Sequence, residues 1–219
     1  MVLALLVLVH VVAAPLGWFV SDFFYVRMAA MTRRVNEGLD LRGDVDRTVV
    51  VLQAPDAIVE RYLPFERRVE GRPTPRVWRT LSIAPYAHRL RRTAPDRFEL
   101  EVVEGHMMST PFETLFRRPD QPLLPQAVVD LGGMSARVLE VDDVGPVRVE
   151  FRFDRPLEAP TLLFLAWREG RFERFEMPSE GGTVLLPWSP PDRYRCGDRQ
   201  EYLVSPNLTL PPRTVPKLG

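Results

Sequence analysis

Cysteine is nearly absent: Cys196 is the single one among 219 residues, which excludes an intrachain disulfide. Lysine is as rare, since Lys217 stands alone and the other 28 of the 29 basic residues are arginine. Isoleucine and asparagine are confined to Ile58, Ile83, Asn36 and Asn207. This joint bias reads as genome composition and not as phosphate recognition, because arginine-phosphate sites need clustered guanidinium forks and most of these arginines alternate with acids. Net charge is missing too: 29 basic residues balance 29 acidic ones. With no basic stripe and no acidic tail, nucleic acid is not an expected partner.

Charge of either sign is absent from Met1 to Ser21, where His10 is the one strongly polar side chain of the first 20. Twenty helical residues reach roughly the 30 Å of a hydrocarbon core. Trp18, Phe19, Phe23, Phe24 and Tyr25 then cluster as an aromatic belt does at the membrane boundary, and Arg27, Arg33 and Arg34 follow. A transmembrane helix is expected over residues 1–26, with the lipid bilayer as its partner. A cleaved signal peptide fits less well, because no basic residue precedes the run and its hydrophobicity passes Ala13-Ala14 to reach Phe24. Pro15 is expected to kink the span. His10 is expected to be a neutral imidazole bonded to a neighbouring helix, as the span holds no second ionisable group. If Met1 is the true start, the arginines place the globular part in the cytoplasm. A span beginning at residue 1 also looks like the last helix of a longer polytopic protein, so the side of the membrane stays open.

Residues 27–46 read as a juxtamembrane stalk and linker. Met28, Met31, Val35 and Leu39 recur at helical spacing and Gly38 is a stop. Residues 47–187 read as one globular domain. Thr48 to Leu52 is a continuous β-branched run of the doubly buried kind. A helix follows, with Asp56 as cap, Ile58, Tyr62, Phe65 and Val69 on its inner face, and Glu60, Arg61, Arg67 and Arg68 pointing away. Pro64 is expected to bend or interrupt it. The junction Gln53-Ala54-Pro55-Asp56 holds no glycine, which argues against a Rossmann or P-loop phosphate site.

Beyond this helix the pattern alternates. Strands are expected from His88 to Arg92 and Arg97 to Val102 around a turn at 93–96, from Ala136 to Val141 and Val147 to Phe153 around Asp142-Asp143-Val144-Gly145, from Leu162 to Trp167 and Phe172 to Phe175, and from Thr183 to Leu186. The fold class is therefore mainly β with α: after the transmembrane helix, an α+β domain built on an antiparallel β-sandwich with one packing helix. Met107 to Pro125 breaks the pattern with Pro111, Pro119, Pro122 and Pro125, and reads as a helical turn plus a long loop. Residues 188–219 carry six prolines without sustained periodicity and read as an extended, partly disordered tail.

The stretch His10 to Leu16, the run Arg47 to Asp56, the linker Glu70-Gly71-Arg72-Pro73-Thr74-Pro75-Arg76 and the run Phe153-Asp154-Arg155-Pro156-Leu157-Glu158 together resemble the C-terminal part of a group of uncharacterised polytopic bacterial membrane proteins. The resemblance implies further upstream membrane helices and a bacterial cell membrane as the location. It brings no activity and no catalytic residue.

Chemistry has few candidates. Glu104, His106 and Glu113, with Ser109 between them, form the one group that reads as a metal or hydrolase cluster, although Glu-x-His with a distant Glu is a common accident. His88 lies among Arg89, Arg91 and Arg92, and is expected to face solvent with its pKa lowered by those cations. Asp142-Asp143 before Gly145 is hairpin chemistry before it is a calcium loop. Asn207-Leu208-Thr209 matches a glycosylation acceptor. No catalytic, cofactor or metal residue is assigned. The expected role is that of a membrane-anchored, non-catalytic partner-binding or structural domain of a larger membrane protein, and the alternative is a membrane-bound hydrolase or metalloenzyme using Glu104, His106 and Glu113.

Overall fold

The computed structural model of the chain describes residues 26, 32–115 and 122–191. The expected anchor, apart from Val26, lies outside the described residues together with His10, and so do Cys196, Asn207 and the tail beyond residue 191. Among the described residues no helix is long and apolar enough to cross a membrane.

The chain forms β1 (Thr48–Val51), α1 (Ala57–Val69), β2 (Val77–Thr80), β3 (His88–Ala94), β4 (Arg97–Val102), α2 (Pro111–Thr114), β5 (Val128–Asp130), β6 (Met134–Val141), β7 (Pro146–Phe153), β8 (Leu162–Arg168), β9 (Arg171–Arg174) and β10 (Thr183–Leu186). Six strands make an antiparallel sheet in the order β10-β3-β4-β7-β6-β5, and the expected hairpins β3-β4, β6-β7 and β8-β9 all form. The smaller sheet, β2-β1-β8-β9, departs from the expected antiparallel pattern, because β1 runs parallel to both β2 and β8. The reason is the crossover: α1 carries the chain back along the sheet, so β2 re-enters in the same direction as β1. No expectation covered β2 or β5, which are short and lie at sheet edges.

β1 and β8 are apolar on both faces, and each face builds a different core. Val50, Leu52, Leu162, Phe164 and Ala166 meet Leu90, Phe98, Leu100, Phe151 and Phe153 of the larger sheet. Phe98 sits 5.7 Å from Phe151 and 6.0 Å from Phe153, at distances that favour aromatic pairing. Along β7 Val149, Phe151 and Phe153 are buried, while of the alternate residues Arg152 is exposed and Arg148 and Glu150 are half-buried. On the other side, Val49, Val51, Leu163, Leu165 and Trp167 pack under Val59 and Leu63 of α1 and under Val35, Leu39 and Leu41. The architecture is thus a helical layer, a mixed sheet and an antiparallel sheet. Residues 32–37 are helical, and residues 32–41, read in the sequence as stalk and linker, belong to the helical layer.

Two expectations about facing are corrected. Asp56 caps α1 as expected, accepting from the Val59 N–H at 2.8 Å, but the buried stripe is Val59, Leu63 and Arg67. Tyr62, Phe65 and Val69, expected inside, are 46%, 62% and 70% exposed. A hydrophobicity pattern assigns arginine outward; here the Arg67 guanidinium is buried because backbone carbonyls converge on it. The helix also continues through Pro64, whose missing N–H and ring clash, together about 3 kcal/mol in a helix interior, are offset by the burial of Val59 and Leu63 on the sheet. The second correction concerns β3, where His88, Leu90 and Arg92 point inward while Arg89 and Arg91 face solvent.

Candidate functional site

The end of β1 is where an open α/β sheet offers a ligand crevice, at the C-terminal edge of parallel strands. In this chain that place is filled. The β2–β3 connection folds over it: the Ala54 N–H donates to the Ser82 carbonyl at 2.9 Å and Gln53 Nε2 donates to the Tyr86 carbonyl at 2.8 Å. His88 completes the lock. Its Nδ1 lies 2.9 Å from the same Tyr86 carbonyl, which only accepts, so Nδ1 carries the proton and Nε2 accepts from the Ser82 hydroxyl at 2.8 Å. Ser82 Oγ in turn accepts from the Ala84 N–H at 3.1 Å. His88 is fully buried, not solvent-facing as its arginine neighbours led one to expect, and burial, with no cation as the cause, lowers its pKa to about 4. It is a neutral structural histidine.

Of Glu104, His106 and Glu113, the last two are each engaged in bonds of their own. Glu113 closes a capping box at α2, accepting from the Thr110 N–H at 3.1 Å and the Thr110 hydroxyl at 2.7 Å while its own N–H donates to Thr110 Oγ1. His106 Nδ1 lies 3.1 Å from Asp142 Oδ2, and the other oxygen of Asp142 accepts from the N–H groups of Val144 and Gly145 at 2.9 and 2.8 Å. Burial raises the Asp142 carboxyl, but these backbone donors and His106 outweigh it and hold it below the usual range. Glu104 is exposed. Among the described residues no group of three or more histidine, cysteine or carboxylate side chains is placed to hold a metal ion.

What the His106 loop has is tight packing. A Cβ on Gly105 would meet the Tyr86 ring at 2.5 Å, and one on Gly145 would meet the Met107 carbonyl oxygen at 2.7 Å. Glu104 and Met108 take positive φ, 61° and 59°. A carboxylate-oriented imidazole is half of a general base, but the Ser109 hydroxyl donates to the His106 backbone carbonyl at 3.3 Å and not to its ring. In the 107–125 segment Met107 is buried in the core and Met108 packs against it, while Leu115 and Leu124 are exposed. Phe116 lies outside the described residues.

An open cleft of about 520 Å³ lies over the β5–β6 turn, lined by Asp96, Asp130, Ser135, Arg152, Asp154 and Arg155. Its charges are already paired: Arg152 Nε with Asp96 Oδ2 at 3.1 Å and Arg155 Nε with Asp154 Oδ1 at 2.6 Å. Asp130 accepts from the Gly132 N–H at 2.8 Å.

The feature that sequence reasoning missed is the joint between α1 and residues 32–41. Arg67 Nη1 donates to Asn36 Oδ1 at 2.7 Å and to the Leu39 carbonyl at 2.9 Å, and Nη2 donates to the Pro73 carbonyl at 2.8 Å. A cation at the end of the short helix 32–37 also suits its dipole. Further along, Asp44 is buried between Arg47 and Arg174. Burial raises its carboxyl, yet the hydrogen bonds from Arg174 and Arg47 prevail and hold it low. Asn36, one of two asparagines in the chain, was the available signal. No protein-family model matches this chain, and no curated protein or solved structure is significantly similar to it.

Proposed function

We propose that this chain is a membrane-anchored, non-catalytic domain that acts by contact, as a partner-binding or structural part of a larger membrane protein of the polytopic bacterial kind it resembles. The observation that carries the reading is the buried Arg67 joint. It welds residues 32–41, which follow the charge-free run Met1 to Ser21 after ten intervening residues, into the core of the domain. A flexible tether needs no such joint; a domain held in a set orientation to the bilayer does. The engagement of Glu113 in a cap and of His106 with Asp142 supports action by contact over turnover. Alkaline carbonate extraction of the full chain tests the anchor: retention in the membrane pellet is expected, and recovery in the soluble fraction overturns the reading.

A further inference from the structure

α1 carries two apolar stripes. The first, Val59 and Leu63, is buried on the mixed sheet; the second, Tyr62, Phe65 and Val69, lies roughly a third of a turn round the helix and is largely exposed. An outward stripe with two aromatics on a 13-residue helix is more apolar surface than a freely solvated helix needs.

Where the chain enters the domain says what covers it. Residues 32–37 lie against the same helix: Asn36 Nδ2 donates to Glu70 Oε2 at 3.2 Å, and the Arg33 charge is felt at Glu66, which sits on the wheel between the buried and the exposed stripes. Tyr25, the last aromatic of the belt, is seven residues before Thr32, a reach of at most about 25 Å. On the anchored reading that belt lies at the lipid boundary, and the Arg67 joint to Asn36 and Leu39 then keeps α1 within a short reach of it. Arg61 and Arg68 on α1 and Arg33 and Arg34 on the entering segment are exposed and match the phosphates of a headgroup layer; of the acids on these segments, Glu60 and Glu66 are half-buried, Glu70 is engaged by Asn36 and Arg72, and Glu37 is exposed.

We infer that the Tyr62, Phe65 and Val69 face of α1 lies on the surface of the phospholipid bilayer, its aromatic rings at the acyl boundary and the neighbouring arginines among the headgroup phosphates. The inference rests on the anchored reading above.

The test uses the full chain in vesicles of phosphatidylcholine and phosphatidylglycerol. Cys196 is the only cysteine, so Cys196→Ser with Phe65→Cys gives one labelling site on α1, and Cys196→Ser with Leu185→Cys gives a control on β10, where residue 185 is 56% exposed. Each carries a polarity-sensitive nitrobenzoxadiazole dye. The expected result is blue-shifted emission at position 65, quenched several-fold more strongly by brominated acyl chains than at position 185. Equal, weak quenching at the two positions in protein that resists carbonate extraction overturns the inference and leaves the anchor standing. A blue shift at 65 without lipid quenching also overturns it, since protein then covers the face. Release by carbonate overturns the anchor and the inference together.

Discussion

Arg67 donates to the side-chain oxygen of Asn36 at 2.7 Å, a buried bond between residues 31 positions apart that fixes where the chain enters the domain. Neither residue has a carboxylate in this contact: the cation is satisfied by an amide oxygen and by the carbonyls of Asn36, Leu39 and Pro73. Burial lowers the Arg67 pKa, but an arginine starts so high that it stays charged at any pH of interest. The joint therefore does not switch with pH.

Removing the guanidinium strands several buried acceptors at once. Arg67→Met is expected to destabilise the chain by about 3 kcal/mol, and Arg67→Lys by somewhat less, because an ammonium lacks the planar fork that reaches three carbonyls. Arg68→Ala, at an exposed position one residue away, is expected to cost under about 0.5 kcal/mol. Denaturant midpoints of the three variants check this; equal midpoints for the substitutions at 67 and 68 contradict it.

His88 makes stability depend on pH. Its folded pKa, about 4, lies below the ordinary 6.5, so the unfolded chain binds the extra proton between those values. The stabilisation is complete above about pH 6.5 and is lost as pH falls towards 4, by about 3 kcal/mol at the 1.4 kcal/mol per pKa unit that links the two. Glu60 and Glu66, raised by burial, act in the opposite direction, so the useful quantity is the difference between wild type and His88→Gln. That difference is expected to shrink on acidification from pH 7 to 4.5, and a constant difference disproves the assignment.

Phe151 packs against Phe98 in the core shared by the two sheets and is 4% exposed. Phe151→Ala is expected to cost about 3 to 5 kcal/mol through lost contacts and a cavity. Phe65→Ala, on the open stripe, is expected to leave the stability of the detergent-solubilised chain within about 0.5 kcal/mol of wild type. Equilibrium unfolding separates the two cases.

Alanine at His106 and at Glu113 tests the contact-based role. The Glu113 change removes half of a capping box on a single helical turn, worth about 1 kcal/mol at most, and neither change is expected to alter a cellular phenotype of the gene. Loss of that phenotype with an unchanged unfolding temperature would move the enzyme alternative ahead of the proposed role.

Much of the architecture follows from local pattern. The alternation from Arg97 to Val102 and from Pro146 to Phe153, the turn residues of the β6–β7 hairpin and the Asp56 cap are properties of a few neighbouring residues, and side-chain alternation or a near hydrogen bond is enough to set them. The two-sided apolar character of Thr48 to Leu52 likewise marks a strand covered on both faces before any partner is known. Which strand lies beside it is another matter. Pairing β1 with β8, more than a hundred residues away, and placing β2 parallel to it depend on the path of the crossover, which leaves no periodic trace.

The same division holds for single side chains. Composition and spacing marked His88 and Arg67 as polar and therefore outward, because burying such a group without partners costs several kcal/mol. The tertiary fold supplied the partners: Ser82 and the Tyr86 carbonyl for the imidazole, Asn36 and three backbone carbonyls for the guanidinium. Chain order alone sets strand periodicity, turns, caps and the charge-free N-terminal run, since those involve residues that are already neighbours. Only the folded chain decides whether a polar group is buried: Asn36 and Leu39 reach Arg67 from about thirty residues away, and Ser82 and Tyr86, though close to His88 in sequence, meet its ring only once the β2–β3 connection has folded back over it.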